Sequence, residues 1–210
     1  MRRALRVTDA PPIAAVILAA GTSSRYRAEA GVEALTKLIA PLDGKPLVRH
    51  VAEAALASRA RPVLVVTGHA DEAVRAALSG LPVKFVANAD FASGIASSVK
   101  AGVAALSRDC AGALILLADM PRISPALLNS LIDAFAAGPE VDAVAPVYAG
   151  ERGNPALVAR SLFLAIATLT GDQGARKLFA GRKVTDVLID DDAVTIDVDT
   201  PSALRELSER

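Results

Sequence analysis

Residues Val16–His50 read VILAAGTSSRYRAEAGVEALTKLIAPLDGKPLVRH. With the apolar residues before them they make Ile13–Leu18 a run of strand length, as expected for a strand covered on both faces. The run then dissolves into Ala19-Ala20-Gly21-Thr22-Ser23-Ser24-Arg25, and a lone lysine, Lys37, precedes the next apolar run. Outward from this stretch the chain alternates. Pro62–Thr67, Val83–Ala87, Ala113–Leu117 and Asp142–Val147 have strand length and are mostly apolar, while Pro46–Ser58, Ala70–Ser79, Ile95–Leu106 and Pro125–Ala137 carry Ala and Leu at helical spacing. Such βαβ order predicts an α/β fold of three layers with a mostly parallel central sheet, and ligands gather at the carboxyl ends of its strands. After Gly150 the pattern is less regular. Helices are expected near Ser161–Thr168 and Gln173–Ala180, strands near Val184–Ile189 and Val194–Val198, and a closing helix from Pro201.

Composition bounds the rest. The 210 residues suit one large α/β domain, and with 52% hydrophobic but only 3% aromatic residues the core must be built from Ala, Val, Leu and Ile. The charges balance, 23 basic against 23 acidic, so no general field draws the chain to nucleic acid or to an anionic membrane surface. A single cysteine, Cys110, argues for a reducing compartment, hence the cytoplasm, and against a structural zinc site. Residues 1–12, MRRALRVTDAPP, read as a flexible leader without the apolar core of a signal peptide, and residues 13–210 as a single domain. No apolar run approaches the ~18 residues of a membrane span.

The loop after the first strand lies where a ligand would sit. Small residues let backbone N–H groups approach an anion, Thr22, Ser23 and Ser24 add hydroxyls, and Arg25 and Lys37 can neutralise phosphate, the first as a fork and the second as a point charge. The alternative is a plain βα loop with solvated basic residues, since neither common phosphate-binding glycine motif is present. Two aspartate segments bear on the choice. In GALILLADMPRISP, Asp119 follows a buried strand directly, where a carboxylate can hold a magnesium ion bridging to phosphate. In TIDVDTPSAL, Asp197 and Asp199 alternate and so share a face, and Thr200-Pro201 fits an N-cap with proline at the first helical position. Taken singly, each aspartate reads more readily as a strand-end turn or helix cap than as a metal ligand. Asp190-Asp191-Asp192 reads as a solvated hairpin turn.

The ordered set LAAGTSSR, TKLIAPLDGKPLV, LLADMP, RGNP, GDQGAR and DVDTP resembles the nucleotidyltransferases that act on molybdopterin, and among them the molybdenum cofactor cytidylyltransferases, over roughly Ile13 to Leu204. The resemblance implies a Rossmann-like nucleotidyltransferase fold and the transfer of CMP from CTP to a molybdopterin phosphate, with pyrophosphate leaving and Mg2+, or alternatively Mn2+, as cofactor. It implies Arg25, Lys37 and Asp119 as the catalytic set and Asp119 with Asp199 as metal ligands, Asp197 being the second choice. Leu18, Ala19, Ala20, Gly21, Thr22, Ser23, Lys37, Thr67, Asn88, Gly94, Ser98 and Asp119 become nucleotide-binding candidates. Arg152, Asn154, Asp172, Gly174 and Arg176 fall to the molybdopterin side, and a transient contact with a recipient molybdenum enzyme is the further partner implied.

Ala20-Gly21, where guanylyltransferases of this kind usually carry two glycines, favours CTP over GTP. The segment from Tyr26 to Thr36 is longer than in relatives and reads as an insertion, either a lid over the site or a surface elaboration. An ionised phosphate needs no histidine base, so His50 and His69 are expected to be structural or solvated. Two other readings stay open: a nucleotidyltransferase of the same fold using another nucleotide such as GTP, or a sugar or polyol phosphate, and a non-catalytic module that delivers cofactor.

Overall fold

The computed structural model describes residues 11–31, 34–138 and 140–209. Most of the expected leader, residues 1–10, lies outside them, as do Val32 and Glu33 of the insertion. In chain order the elements are β1 (Ile13–Ala19), α1 (Ser24–Ala30), the small hairpin β2 (Pro41–Leu42) and β3 (Lys45–Pro46), α2 (Leu47–Ala57), β4 (Val63–Thr67), α3 (Asp71–Ala77), β5 (Lys84–Ala87) and α4 (Ile95–Ala104). There follow β6 (Gly112–Leu117), α5 (Pro125–Ala137), β7 (Ala143–Tyr148), β8 (Glu151–Arg152), β9 (Ala156–Ala159), α6 (Phe163–Ile166), β10 (Val184–Leu188) and α7 (Pro201–Ser208).

The main sheet runs β10-β7-β9-β6-β1-β4-β5, with β8 added on β7. β1 pairs in parallel with β4 and β6, β4 with β5, and β7 with β10, while β9 runs antiparallel between β6 and β7. β1 is the spine. Its odd residues Ala15, Ile17 and Ala19 join one buried cluster with Val48 and Val51 of α2, Val74 of α3 and Leu128 of α5. Its even residues Ala14, Val16 and Leu18 join a second with Val99 and Val103 of α4 and Ile166 of α6. Alternate side chains of a strand point to opposite faces, so a strand apolar at every position is what two helical layers require. Each fully buried Val, Leu or Ile contributes roughly 2 kcal/mol of transfer free energy. The layers are close because they are built small: a Cβ on Gly102 of α4 would stand 2.3 Å from Cγ1 of Val16.

Local rules fix the helix starts. Ser124 accepts a hydrogen bond from the Leu127 amide at 3.1 Å with Pro125 behind it, and Thr200 does the same for Ala203 at 3.1 Å with Pro201 behind it. Among the described residues no helix is long and apolar enough to cross a membrane.

Beyond β7 several expectations change. Val194–Val198 is not a strand: Asp192–Val194 closes a 3-10 turn, and residues 195–199 run on without ladder partners. Asp190–Asp192 is accordingly no hairpin turn, since Asp191 caps that 3-10 turn through the Ala193 amide at 2.8 Å. Gln173–Ala180 yields a 3-10 helix over Ala175–Phe179 rather than an α-helix, and Ser161–Thr168 keeps only the short α6 behind a 3-10 turn. Unforeseen is β9, four residues whose burial is set by antiparallel partners on both sides. Part of the insertion is helical, as α1.

Candidate active site

β1, β4 and β6 end level with one another, Ala19 beside Thr67 and Leu18 beside Leu117, so the loops that follow them meet at one edge of the sheet. The loop after β1 turns through Ser23, a non-glycine residue with φ 53 and ψ 36. That left-handed conformation carries strain, which the surroundings must hold. They do so through its hydroxyl, which lies 3.0 Å from Oγ1 of Thr36 and accepts the Lys37 amide at 3.3 Å. Ser23 therefore joins the two ends of the insertion and brings Lys37 back beneath the loop.

Lys37 is 12% exposed, and its Nζ lies 2.6 Å from Oδ2 of Asp119 and 2.7 Å from Oδ1 of Asp199. The other oxygen of Asp199 meets the guanidinium of Arg25. Burial draws the Lys37 ammonium toward losing its proton, but Asp119 first and Asp199 next outweigh it and hold its pKa above the usual value. Asp119 stands just past β6, and the strip bearing Asp197 and Asp199 is tied to it by the Val198 amide, which donates to the Asp119 carbonyl at 2.9 Å. Val198 is fully buried in a third cluster with Tyr26, Leu42, Leu47 and Leu204. With Val198 facing inward, both flanking aspartates reach the site although no strand ladder aligns them.

Ligand oxygens of Asp119, Asp197 and Asp199 lie within 4.8 Å of one another. Asp197 is the exposed member, yet the adjoining protein wall removes part of its hydration, and with Asp199 and Asp119 nearby its carboxyl is held above the ordinary range. Oδ1 of Asp119 is buried and has no hydrogen-bond partner among the described residues. An orphaned carboxylate oxygen amid three converging acids is the donor set of a hard divalent cation, so the residues present fit one.

A cavity of about 410 Å³ opens beside this cluster. Leu18, Ala20, Gly21, Thr22, Ser23 and Arg25 border it on the β1 side, with Gly94 and Ser98 opposite and Lys37, Asp119 and Asp199 at its base. Three nucleotide-binding candidates are behind the wall instead. Ala19 is buried, and Thr67 is fully buried at the end of β4, where its carbonyl accepts the Asn88 amide at 2.8 Å. Asn88 in turn donates to Oγ of Ser97 at 2.8 Å and Oγ of Ser98 at 3.1 Å, so it orients the start of α4 rather than facing the cavity. The resemblance made these three residues candidates; all three lie outside the residues that line the cavity. His69 also lies outside the lining, its ring tilted against Phe91 at 6.0 Å and its Nε2 3.3 Å from Nη1 of Arg27. His50 is structural, bound to the Leu42 carbonyl at 2.9 Å. Phe91 lines the cavity and was not singled out from sequence; its signal is an aromatic side chain in a chain with so few.

A second cavity, about 430 Å³, shares Leu18, Ile95, Leu117 and Asp172 with the first. Its floor is apolar, through Val99, Ile115 and Ala156, and Asn154, Gly174 and Arg176 stand on its rim. Arg152 borders a smaller adjoining hollow of about 250 Å³ with Asn154, Arg176 and Asp197. Its guanidinium is committed to Asp186 by bonds of 2.7 and 3.1 Å, while its carbonyl accepts from Arg176. Next to Asp172, which lines both large cavities, the backbone is closely packed: a Cβ on Gly94, where φ is +106, would stand 2.4 Å from the Gly171 carbonyl, and the Ala96 amide donates to that carbonyl at 3.0 Å.

Comparisons with known proteins agree with this architecture. Rv0371c from Mycobacterium tuberculosis H37Rv superposes with a TM-score of 0.82 at 28% identity over 96% of this chain and 100% of that one, and a second structure of it is a complex with manganese. The nicotine blue oxidoreductase of Paenarthrobacter nicotinovorans is 31% identical over 207 residues, 95% of this chain and 98% of its own. The bifunctional protein GlmU of Kineococcus radiotolerans is 37% identical over 131 residues, 61% of this chain but 26% of that protein. The matched part of the chain thus spans about a quarter to a third of the length of the GlmU proteins it matches. A family model described as the MobA-like NTP transferase domain matches residues 15–187, so the chain belongs to that family of nucleotidyltransferases.

Proposed function

We propose that this protein transfers CMP from CTP to the phosphate of molybdopterin, giving the cytosine dinucleotide and pyrophosphate, with Mg2+ as the cation and Mn2+ as a substitute. The observation that carries the reading is the convergence of Arg25, Lys37 and three carboxylates at the base of one cavity, next to a second cavity with an apolar floor. An acceptor phosphate oxygen attacks the α-phosphorus of the nucleotide, a P–O bond forms, and the bond to the β-phosphate breaks with its electron pair leaving on pyrophosphate. A phosphate monoester is already ionised near neutral pH, so no side chain need remove a proton.

In this reading Leu18, Ala20, Gly21, Thr22 and Ser23 border the nucleotide, with Gly94 and Ser98 across from them. Arg25 and Lys37, now neutralised by Asp199 and Asp119, turn to the phosphates. Asp119, Asp199 and Asp197 hold the cation, which when bound would offset the charge developing on the phosphoryl oxygens. Asn154, Asp172, Gly174 and Arg176 receive the acceptor, and Arg152 acts through its hold on Arg176. The preference for CTP rests on Ala20-Gly21. Ala20 is only 2% exposed, so its methyl acts by setting the height of the loop over Gly68 rather than by projecting into the cavity. A methyl-sized difference is worth about 1–3 kcal/mol, so contacts to the base edge must add to it. A cytoplasmic site of action and release to a recipient molybdenum enzyme accord with the same reading.

The test is thermal stability with CTP, GTP, ATP or UTP, each with and without Mg2+, because a ligand that binds only the folded state raises it by mass action. Stabilisation by CTP that depends on Mg2+, followed by pyrophosphate release with molybdopterin, is the expected result. Preference for another nucleotide would replace CTP, and turnover with a sugar or polyol phosphate would replace the acceptor. The full-length likeness to a protein named nicotine blue oxidoreductase, together with the apolar floor of the second cavity, supports a second reading as a reductase of a heteroaromatic compound. Turnover of nicotine blue, with no response to CTP, GTP, ATP or UTP, would favour it.

A further inference from the structure

α1 has seven residues, too few to sustain a helix alone, and its side chains reach in different directions. Tyr26 is buried with Val198 and Leu204, Arg27 meets His69, and Arg25 meets Asp199. Glu29 reaches α7: its Oε1 accepts the Ser202 amide at 3.1 Å and its Oε2 the Ser202 hydroxyl at 3.4 Å. The first turn of α7 therefore has two acceptors, Thr200 from within and Glu29 from the insertion. A carboxylate at a helix N-terminus satisfies an otherwise free amide and complements the helix dipole. The ion pair of Glu29 with Arg205, 3.8 Å long and exposed, adds little to this.

α7 begins two residues after Asp199, so whatever fixes its first turn also fixes the exit of the aspartate strip. From this we infer that Glu29 is a positioning residue, which holds Asp197 and Asp199 in place against Asp119 by bracing the start of α7. The insertion is then neither a free lid nor an idle elaboration; its helical part is a strut between the β4 end and α7. The inference rests on the cation-dependent transfer proposed above and concerns the carboxylates that would hold the cation.

The experiment is Mn2+ binding, followed by electron paramagnetic resonance with the metal alone, in wild type, Glu29→Ala and Glu29→Gln, with melting curves of the metal-free proteins and KM and kcat for the nucleotide in parallel. Loss of a group that orients metal ligands typically weakens metal binding by tenfold or more, so Glu29→Ala is expected to bind Mn2+ about tenfold more weakly. Glu29→Gln, whose amide oxygen still accepts from Ser202, should stay within about twofold of wild type. Mn2+ binding by Glu29→Ala equal to wild type would overturn the brace alone, even if its melting temperature fell. Weakened binding in Glu29→Ala, in a protein that transfers from no nucleotide, would overturn the transfer reading and leave the brace standing. A wild-type protein that takes up no Mn2+ would overturn both.

Discussion

The two halves of the cleft are built on opposite principles. On the β1 side charge converges: Lys37, Arg25, Asp119 and Asp199 neutralise one another at the base of the cavity, and their positions follow from strand ends and a tied loop. On the β9 side the floor is apolar, the polar groups are on the rim, and the arginines there bind carboxylate or carbonyl partners away from the floor. A preorganised charged cluster suits a reaction centre, whereas an apolar floor with a few polar rim groups suits discrimination among acceptors. On the transfer proposed above, the difference would put the chemistry on one side and the choice of acceptor on the other.

Asp119→Ala is the severest way to break that division. It should lower pyrophosphate release by about a thousandfold or more, the scale for losing a main electrostatic contributor to phosphoryl transfer, while circular dichroism shows the fold intact. Retained turnover would remove Asp119 from the chemistry. Gly94→Ala attacks the close backbone contact beside Asp172, the residue that lines both cavities. Its methyl would have to displace the Gly171 carbonyl from a backbone with φ +106, at an expected cost of about 2 kcal/mol in stability by chemical denaturation.

Arg176→Ala sharpens the comparison from the other side: the KM for the acceptor should rise about tenfold, roughly 1.4 kcal/mol, with the nucleotide KM unchanged. A rise in both would mean that the halves are not separate. The smallest effect belongs to a residue in neither half. Lys45 foremost, with Arg49 assisting, holds the Glu53 carboxyl below its usual range against the opposing effect of burial. A depressed acid stabilises the fold above its unfolded pKa of about 4.3 and loses that contribution as pH falls through the folded value. Glu53→Gln should therefore melt slightly below wild type at pH 7, by no more than about 1 kcal/mol, and match it in strong acid, with activity untouched.

The same asymmetry governs how much could be read before the structure. β1, β4, β6 and β7 were legible because strands buried on both faces write themselves as continuous apolar runs, and their order implied which edge the loops would share. β9 was not, since four apolar residues owe their strand character to partners on either side. Lys37, Asp119 and Asp199 stood out through the ordered motifs of the resemblance rather than singly, and the structure brings them together with Asp197. The tie between Ser23 and Thr36, thirteen positions apart, has no local signature, and neither does the depth that hides Thr67 and Asn88 from the cavity. Alternation predicted a common face for Asp197 and Asp199, and they share one because Val198 is buried between them, although the strand assumed to cause it is absent.

The contact between Gly94 and Gly171 also sets what each of the two meeting loops can tolerate. Its demands are unequal. Position 94 must stay bare because another loop's carbonyl fills the space of its side chain, whereas a side chain at 171 would meet open space, and its φ of +54 is one that Asn tolerates. Asn at 171 should therefore leave this contact closed, whereas any side chain at 94 should force the two loops apart whatever residue stands at 171, so of the two loops that meet here only one is open to exchange.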